Sequence, residues 1–127
     1  MPTGEISFPD VNGGSLKIQA ELAKTEHDVQ KGLMFRRSMS DNQGMLFKLE
    51  SRRDHTFWMH NTCIPLDMMF VEDDGLIVGI VEGAAPLTDD VRSCGCPSSY
   101  VLEVNGGWAR KKGVKPGQRI TIPFSAR

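Results

Sequence analysis

Met68-Met69-Phe70-Val71-Glu72-Asp73-Asp74-Gly75-Leu76-Ile77-Val78-Gly79-Ile80-Val81 is the stretch that decides how this chain folds. Two apolar runs rich in β-forming residues flank an acidic break that ends in Asp-Gly. Asp-Gly in that setting is a strong β-hairpin signal, because a tight turn needs positive φ there. The runs around the hairpin extend the sheet. Downstream, Tyr100-Val101-Leu102-Glu103-Val104 and Arg119-Ile120-Thr121-Ile122 read as strands, and upstream so does Met45-Leu46-Phe47. In Phe57-Trp58-Met59 three apolar residues in succession predict a strand covered on both faces. From Leu16 to Leu22 the alternation is strict, with Leu16, Ile18, Ala20 and Leu22 on one side, which predicts a half-buried strand.

Helical signals are few and short. Thr25 can cap a helix that carries Glu26 and Asp28 in its first turn, with Val29 and Leu33 as the buried stripe and Gly32 near its end. Asn105-Gly106-Gly107 turns into a second helix over Trp108–Lys112, which Gly113 is placed to end. The sum is an α+β fold. It is a compact β-rich domain of six or seven short, mostly antiparallel strands, barrel-like or sandwich-like, with two short helices. At 127 residues the expectation is a single domain spanning 1–127.

Fifteen basic and 16 acidic residues leave a formal net charge of −1, which gives a nucleic-acid partner nothing to grip. Arg110, Lys111, Lys112 and Lys115 form the one basic cluster, and they suit the C-terminal end of a helix. No apolar run approaches the ~20 residues of a membrane span. The N-terminus shows no signal peptide. A complete chain would therefore be cytoplasmic, and a chain whose signal had been removed would be periplasmic or exported. A monomer is expected.

Gly32-Leu33-Met34-Phe35-Arg36, Gly44-Met45-Leu46-Phe47, Phe57-Trp58-Met59-His60-Asn61-Thr62, Pro65-Leu66-Asp67 and Leu102-Glu103-Val104-Asn105-Gly106-Gly107 follow one another in this order. Together they resemble the bacterial and archaeal family called domain of unknown function 192, over about residues 15–122. The resemblance implies a β-rich α+β domain and no agreed activity. Many members of that family are exported. Cys63, Cys94 and Cys96 lie outside these motifs.

The segment from Trp58 to Asp67 is the first candidate site. A binding pocket wants an apolar floor with a few fixed polar groups. Trp58 and Met59 could form the floor, and Asn61, Thr62 and Asp67 the polar groups. The structural alternative has Asn61 and Thr62 bonding the chain as it turns before Pro65, and Asp67 partnered by Arg36 or by backbone N–H groups. Arg36 offers a planar fork for an anion or for Asp67, Asp41 or Glu103. Alternation in its strand sets Glu103 opposite Leu102 and Val104, on solvent or against a cation. Asp67 and Glu103 together would suit acid–base work only at a suitable separation. The irregular stretch from Gly83 to Ser99 is long enough to close over such a site.

Three cysteines leave at least one unpaired within a monomer. Cys63, Cys94 and Cys96 are disulfide candidates, with Cys63 to either of the others clamping the long loop. A Cys94–Cys96 link is disfavoured by its short spacing. A zinc site from these thiols with His55 or His60, and a Cys63 nucleophile with His55 or His60 as base, are weaker readings because no metal or nucleophile fingerprint surrounds them. No cofactor motif is present. The leading function is a non-catalytic binding module for a small molecule or peptide, presenting an aromatic and polar pocket around residues 57–67. An accessory interaction domain comes second, and a small carboxylate-dependent hydrolase or lyase third.

Overall fold

A computed structural model describes residues 1–127. Six strands form one sheet: β1 (Thr3–Ser7), β2 (Lys17–Ala23), β3 (Gln43–Arg53), β4 (Leu66–Val71), β5 (Ile77–Ala84) and β6 (Ser98–Asn105). Their spatial order is β1-β2-β3-β6-β4-β5. β2 and β3 run parallel and the other neighbours antiparallel. Two short helices complete the α+β fold, α1 (Glu26–Lys31) after β2 and α2 (Trp108–Lys112) after β6. Neither helix is long and apolar enough to cross a membrane.

The hairpin forms where Asp-Gly placed it, with Gly75 at φ +88° and Asp74 Oδ1 accepting from the Leu76 N–H at 3.0 Å. A Cβ at Gly75 would sit 2.1 Å from the Ile120 carbonyl oxygen, so glycine is required twice over. That approach explains the C-terminal segment. Read from sequence as a strand, Arg119–Ile122 instead links the two edges of the sheet. Ile120 N–H donates to Gly75 O, Ile77 N–H to Gln118 O, and Thr121 N–H to Ser7 O on β1. Ile120 and Ile122 still point inward.

One further strand expectation needs correction, and one strand was not expected. Phe57–Met59 makes only one bridge, Phe57 with Arg92, and Trp58 is 50% exposed rather than covered. β1 carries a single buried residue, Ile6, and is a strand because it pairs with β2. Alternation on β2 holds: Ile18, Ala20 and Leu22 are buried while Lys17 and Gln19 are exposed.

The sheet has a core on each face. The larger one gathers Leu22, Leu46, Leu102, Val104 and Trp108 under α2. Trp108 is locked there by its Nε1–H donating to Asp41 O at 2.6 Å and by tilted contact with Phe8. The smaller one gathers Leu33, Met45, Phe47, Met68 and Phe70 under α1. Thr25 caps α1, its Oγ1 accepting from the Asp28 N–H, and Gly32 ends the helix at φ +49°. With only six residues, α1 covers this second face incompletely.

Candidate functional site

β6 is central and buried almost throughout, so both of its faces meet packed material. Register decides what each face receives. Met68 lies opposite Glu103, and Asp67 opposite Val104. Opposed residues share a face and successive residues alternate. Glu103 therefore faces α1 with Met68 and Met45, while Asp67 faces α2 with Val104. The two carboxylates are on opposite sides of the sheet and cannot act as a catalytic pair.

Asp67 is fully buried, and its oxygens accept from Gly83 N–H at 2.8 Å, Gly107 N–H at 3.0 Å and Ala109 N–H at 2.9 Å. It ties β5 and the first turn of α2 to β4. Its hydrogen-bonding capacity is spent on the fold, as the backbone N–H alternative for this residue has it. Glu103 is the opposite case. It is neither solvated nor paired with a cation, as the alternation of its strand had suggested, because α1 and residues 55–62 cover that face. Only 4% of it is exposed, and no protein group donates to its carboxyl. Burial alone pushes its pKa up from 4.5 to about 8, so the acid is neutral at pH 7.

A cleft of about 390 Å³ opens above Glu103, between α1, β3 and residues 55–62. Leu33, Phe47 and Phe57 provide apolar walls. Phe57 is held edge-on to Phe47 and Phe70, with ring centroids 5.7 and 6.1 Å apart. The long loop is laced to this wall. Phe57 N–H donates to Arg92 O, Arg92 N–H to Phe57 O, and Met59 N–H to Thr88 O. Trp58 and Val91, both exposed, stand at the cleft edge. The indole of Trp58 stacks on His60, whose Nδ1 lies 2.8 Å from Asp89.

The polar lining is sparse. Thr62 is buried, with its hydroxyl directed at the His60 carbonyl at 3.4 Å. His55 is also buried, and its Nε2 lies 2.6 Å from the Ser51 carbonyl, an acceptor, so Nε2 carries the proton. His55 enters the site through structure; in the sequence it stood out only as a possible partner for a thiol.

Of the residues singled out from sequence, Trp58, Thr62 and Glu103 come together at the cleft, and Arg36, Asn61 and Asp67 do not line it. Arg36 pairs with none of the acids proposed for it; its guanidinium lies 2.5 Å from Glu21 on β2. Asn61 shapes the turn in the left-handed region at φ +55°, its carbonyl accepting from the Phe35 N–H. Phe35 and Leu87 share that backbone conformation, at φ +67° and +59°, and both are exposed. Leu87 N–H donates to Thr62 O. Two strained positions are thus pinned to consecutive carbonyls beside the cleft, each at a cost of about 1–3 kcal/mol.

The thiols stand outside the cleft. Cys94 and Cys96 are disulfide-bonded to each other, against the expectation from their spacing, and Cys63 is exposed and free. Gly79 makes room for the bonded pair on β5, since a Cβ there would meet Cys94 Cβ at 2.5 Å. The Cys63 side chain stays at the Asn61–Cys63 turn, its Sγ near the Asn61 carbonyl. No three His, Cys, Asp or Glu side chains converge as a metal site would need.

Comparison with known proteins agrees with the resemblance. The DUF192 family model, described as "Uncharacterized ACR", matches residues 9–122. A solved structure from Sinorhizobium meliloti 1021, provisionally described as a transcription regulator, is 36% identical with a TM-score of 0.89, covering 94% of this chain and 93% of its own. A protein of unknown function from Novosphingobium aromaticivorans DSM 12444 is also 36% identical, with a TM-score of 0.88, covering 94% and 85%. No curated protein matches the chain.

Proposed function

The chain belongs to the DUF192 family, and we propose that it works as a binding module whose ligand enters the cleft between α1, β3 and residues 55–62 and satisfies Glu103. One observation carries this reading. A carboxyl 4% exposed, with no protein partner, lies under an apolar opening. Buried carboxyls are almost always hydrogen-bonded, and this one, given no donor by the fold and lining the cleft with its last trace of exposure, has room for a donor from outside. An apolar wall with a few convergent polar groups is the usual composition of a small-ligand site. The strained backbone at Phe35 and Leu87, bonded to the consecutive Asn61 and Thr62 carbonyls, fits a turn held in shape behind the lining residue Thr62.

Regulation of transcription, the description carried by one relative, finds no support in this chain. Its helices have six and five residues and its net charge is −1, which suits neither a major-groove reader nor a phosphate-binding surface.

A fragment screen by amide-resolved NMR tests the binding reading. Fragments should shift the amides of Leu33, Thr62 and Glu103 together, and Trp58→Ala should weaken them. A diverse library that perturbs none of these amides would rule the reading out.

A further inference from the structure

We infer that the group received at the base of the cleft is a primary ammonium on an unbranched apolar stem, either a lysine side chain or a free alkylamine. This rests on the binding reading above and names its ligand class.

The donors and acceptors left over in the cleft decide the matter. The Thr62 hydroxyl directs its proton at the His60 carbonyl, which leaves its lone pairs for the cleft. The Nε2 proton of His55 goes to the Ser51 carbonyl, so that nitrogen has no proton to give a ligand. Glu103 has no donor of any kind from the protein and, once ionised, only accepts. The lining side chains with protons left to give, Gln30, Lys31, Thr56 and Trp58, are all exposed at the outer part of the cleft. A buried carboxyl that receives no donor from the fold is complementary to a group rich in donors and free of lone pairs. An ammonium has three donors and no acceptor. Against the ionised Glu103 that ion pairing requires, a carboxylate, ketone or ether would set acceptor against acceptor.

The walls agree with this choice. Leu33, Phe47 and Phe57 can pack a methylene stem, and aromatic faces attract a cation near them. The group's charge couples its binding to the titration of Glu103. At pH 7 Glu103 holds a proton, so an ammonium must displace it, and that proton leaves to solvent as the ion pair forms. Lys31 and His55 are the other titratable groups lining the cleft, on α1 and on the segment after β3. Each amine bound near pH 7 should release about one proton, and affinity should rise about tenfold per pH unit below the Glu103 midpoint.

The test is calorimetry with n-hexylammonium, 1-hexanol and hexanoate, together with a short peptide carrying one central lysine and its norleucine counterpart. Titrations in two buffers of different ionisation enthalpy count the protons. Hexylammonium should bind with release of about one proton, and 1-hexanol and hexanoate should bind at least about tenfold more weakly. Glu103→Gln, close in shape, should remove the proton release and weaken the amine about tenfold or more; Thr62→Val should weaken it less. Binding of both the lysine peptide and hexylammonium would name a protein side chain as the natural source. Binding of hexylammonium alone would name a free amine. Equal or tighter binding of 1-hexanol or hexanoate, or amine binding indifferent to Glu103→Gln, would overturn the inference. If neutral or anionic fragments still perturb Leu33, Thr62 and Glu103, the binding reading survives that failure. If no fragment does, both fall.

Discussion

Asp67 and Glu103 sit on neighbouring strands, one residue pair out of register, and face opposite ways. Both are buried carboxylates in a small protein. Asp67 accepts three backbone N–H bonds, and Glu103 accepts none. Burial therefore does not mark a site, and neither does the residue type. What separates the two is whether the fold itself supplies donors. On the α2 face the chain turns three amides toward Asp67. On the α1 face a six-residue helix stops short, and the carboxyl is left facing a cleft.

The largest effect expected from this difference is at Asp67. Asp67→Ala orphans the buried Ala109 N–H, strips the part-buried Gly83 and Gly107 N–H groups of their partner, each lost bond costing up to about 1–3 kcal/mol, and leaves a gap between β4 and α2. We expect a loss of about 5 kcal/mol, read from urea unfolding with an unchanged slope. A loss under about 1 kcal/mol would erase the contrast with Glu103.

The pH dependence of stability gives the complementary test. Folded Glu103 keeps its proton up to about 8, whereas the unfolded carboxyl releases it near 4.5. Between those values the folded state binds more protons, so its stability falls as pH rises from about 4.5 to 8 and levels off above. The loss is on the order of 4 kcal/mol. The stability difference between wild type and Glu103→Gln isolates it, because every other titrating group cancels. A difference that stays flat across this range would mean that Glu103 is solvated or paired after all.

Smaller effects are expected at the cleft mouth. Trp58→Ala removes a half-exposed ring, so stability should change by under about 1 kcal/mol while fragment binding weakens. Behind the cleft, Leu87→Gly relaxes a left-handed residue whose N–H holds the carbonyl of the lining residue Thr62, and should hold or raise stability by up to about 1 kcal/mol, with weaker binding. Thermal unfolding beside NMR titration separates the two responses. Loss of stability without loss of binding would make these residues ordinary packing.

How much of this was legible in the sequence follows the range of the interactions involved. The Asp74-Gly75 hairpin, the alternation of β2, the Thr25 cap and the Gly113 stop depend on neighbours within a few residues, and each formed as expected. β1 escaped notice because its one buried side chain leaves no period to read. Trp58 was misread because successive apolar residues suggest cover on both faces, and the cover ends at the cleft edge. The site was less legible still. Thr62 and Glu103 could be named as polar residues near aromatics, but the isolation of Glu103 depends on the register of β6 against β4 and on where α1 ends. His55 reaches the cleft through a fold that joins residues far apart in the chain. Arg36 found Glu21 because β2 runs beside its turn, which no local pattern announces.

The central claim is that Glu103 is an unpartnered acid kept neutral at the base of the cleft. Titration of its side-chain carboxyl carbon by NMR, assigned by comparison with Glu103→Gln, tests this most directly. A midpoint near 8 is predicted. A midpoint near the ordinary 4.5 would contradict the account.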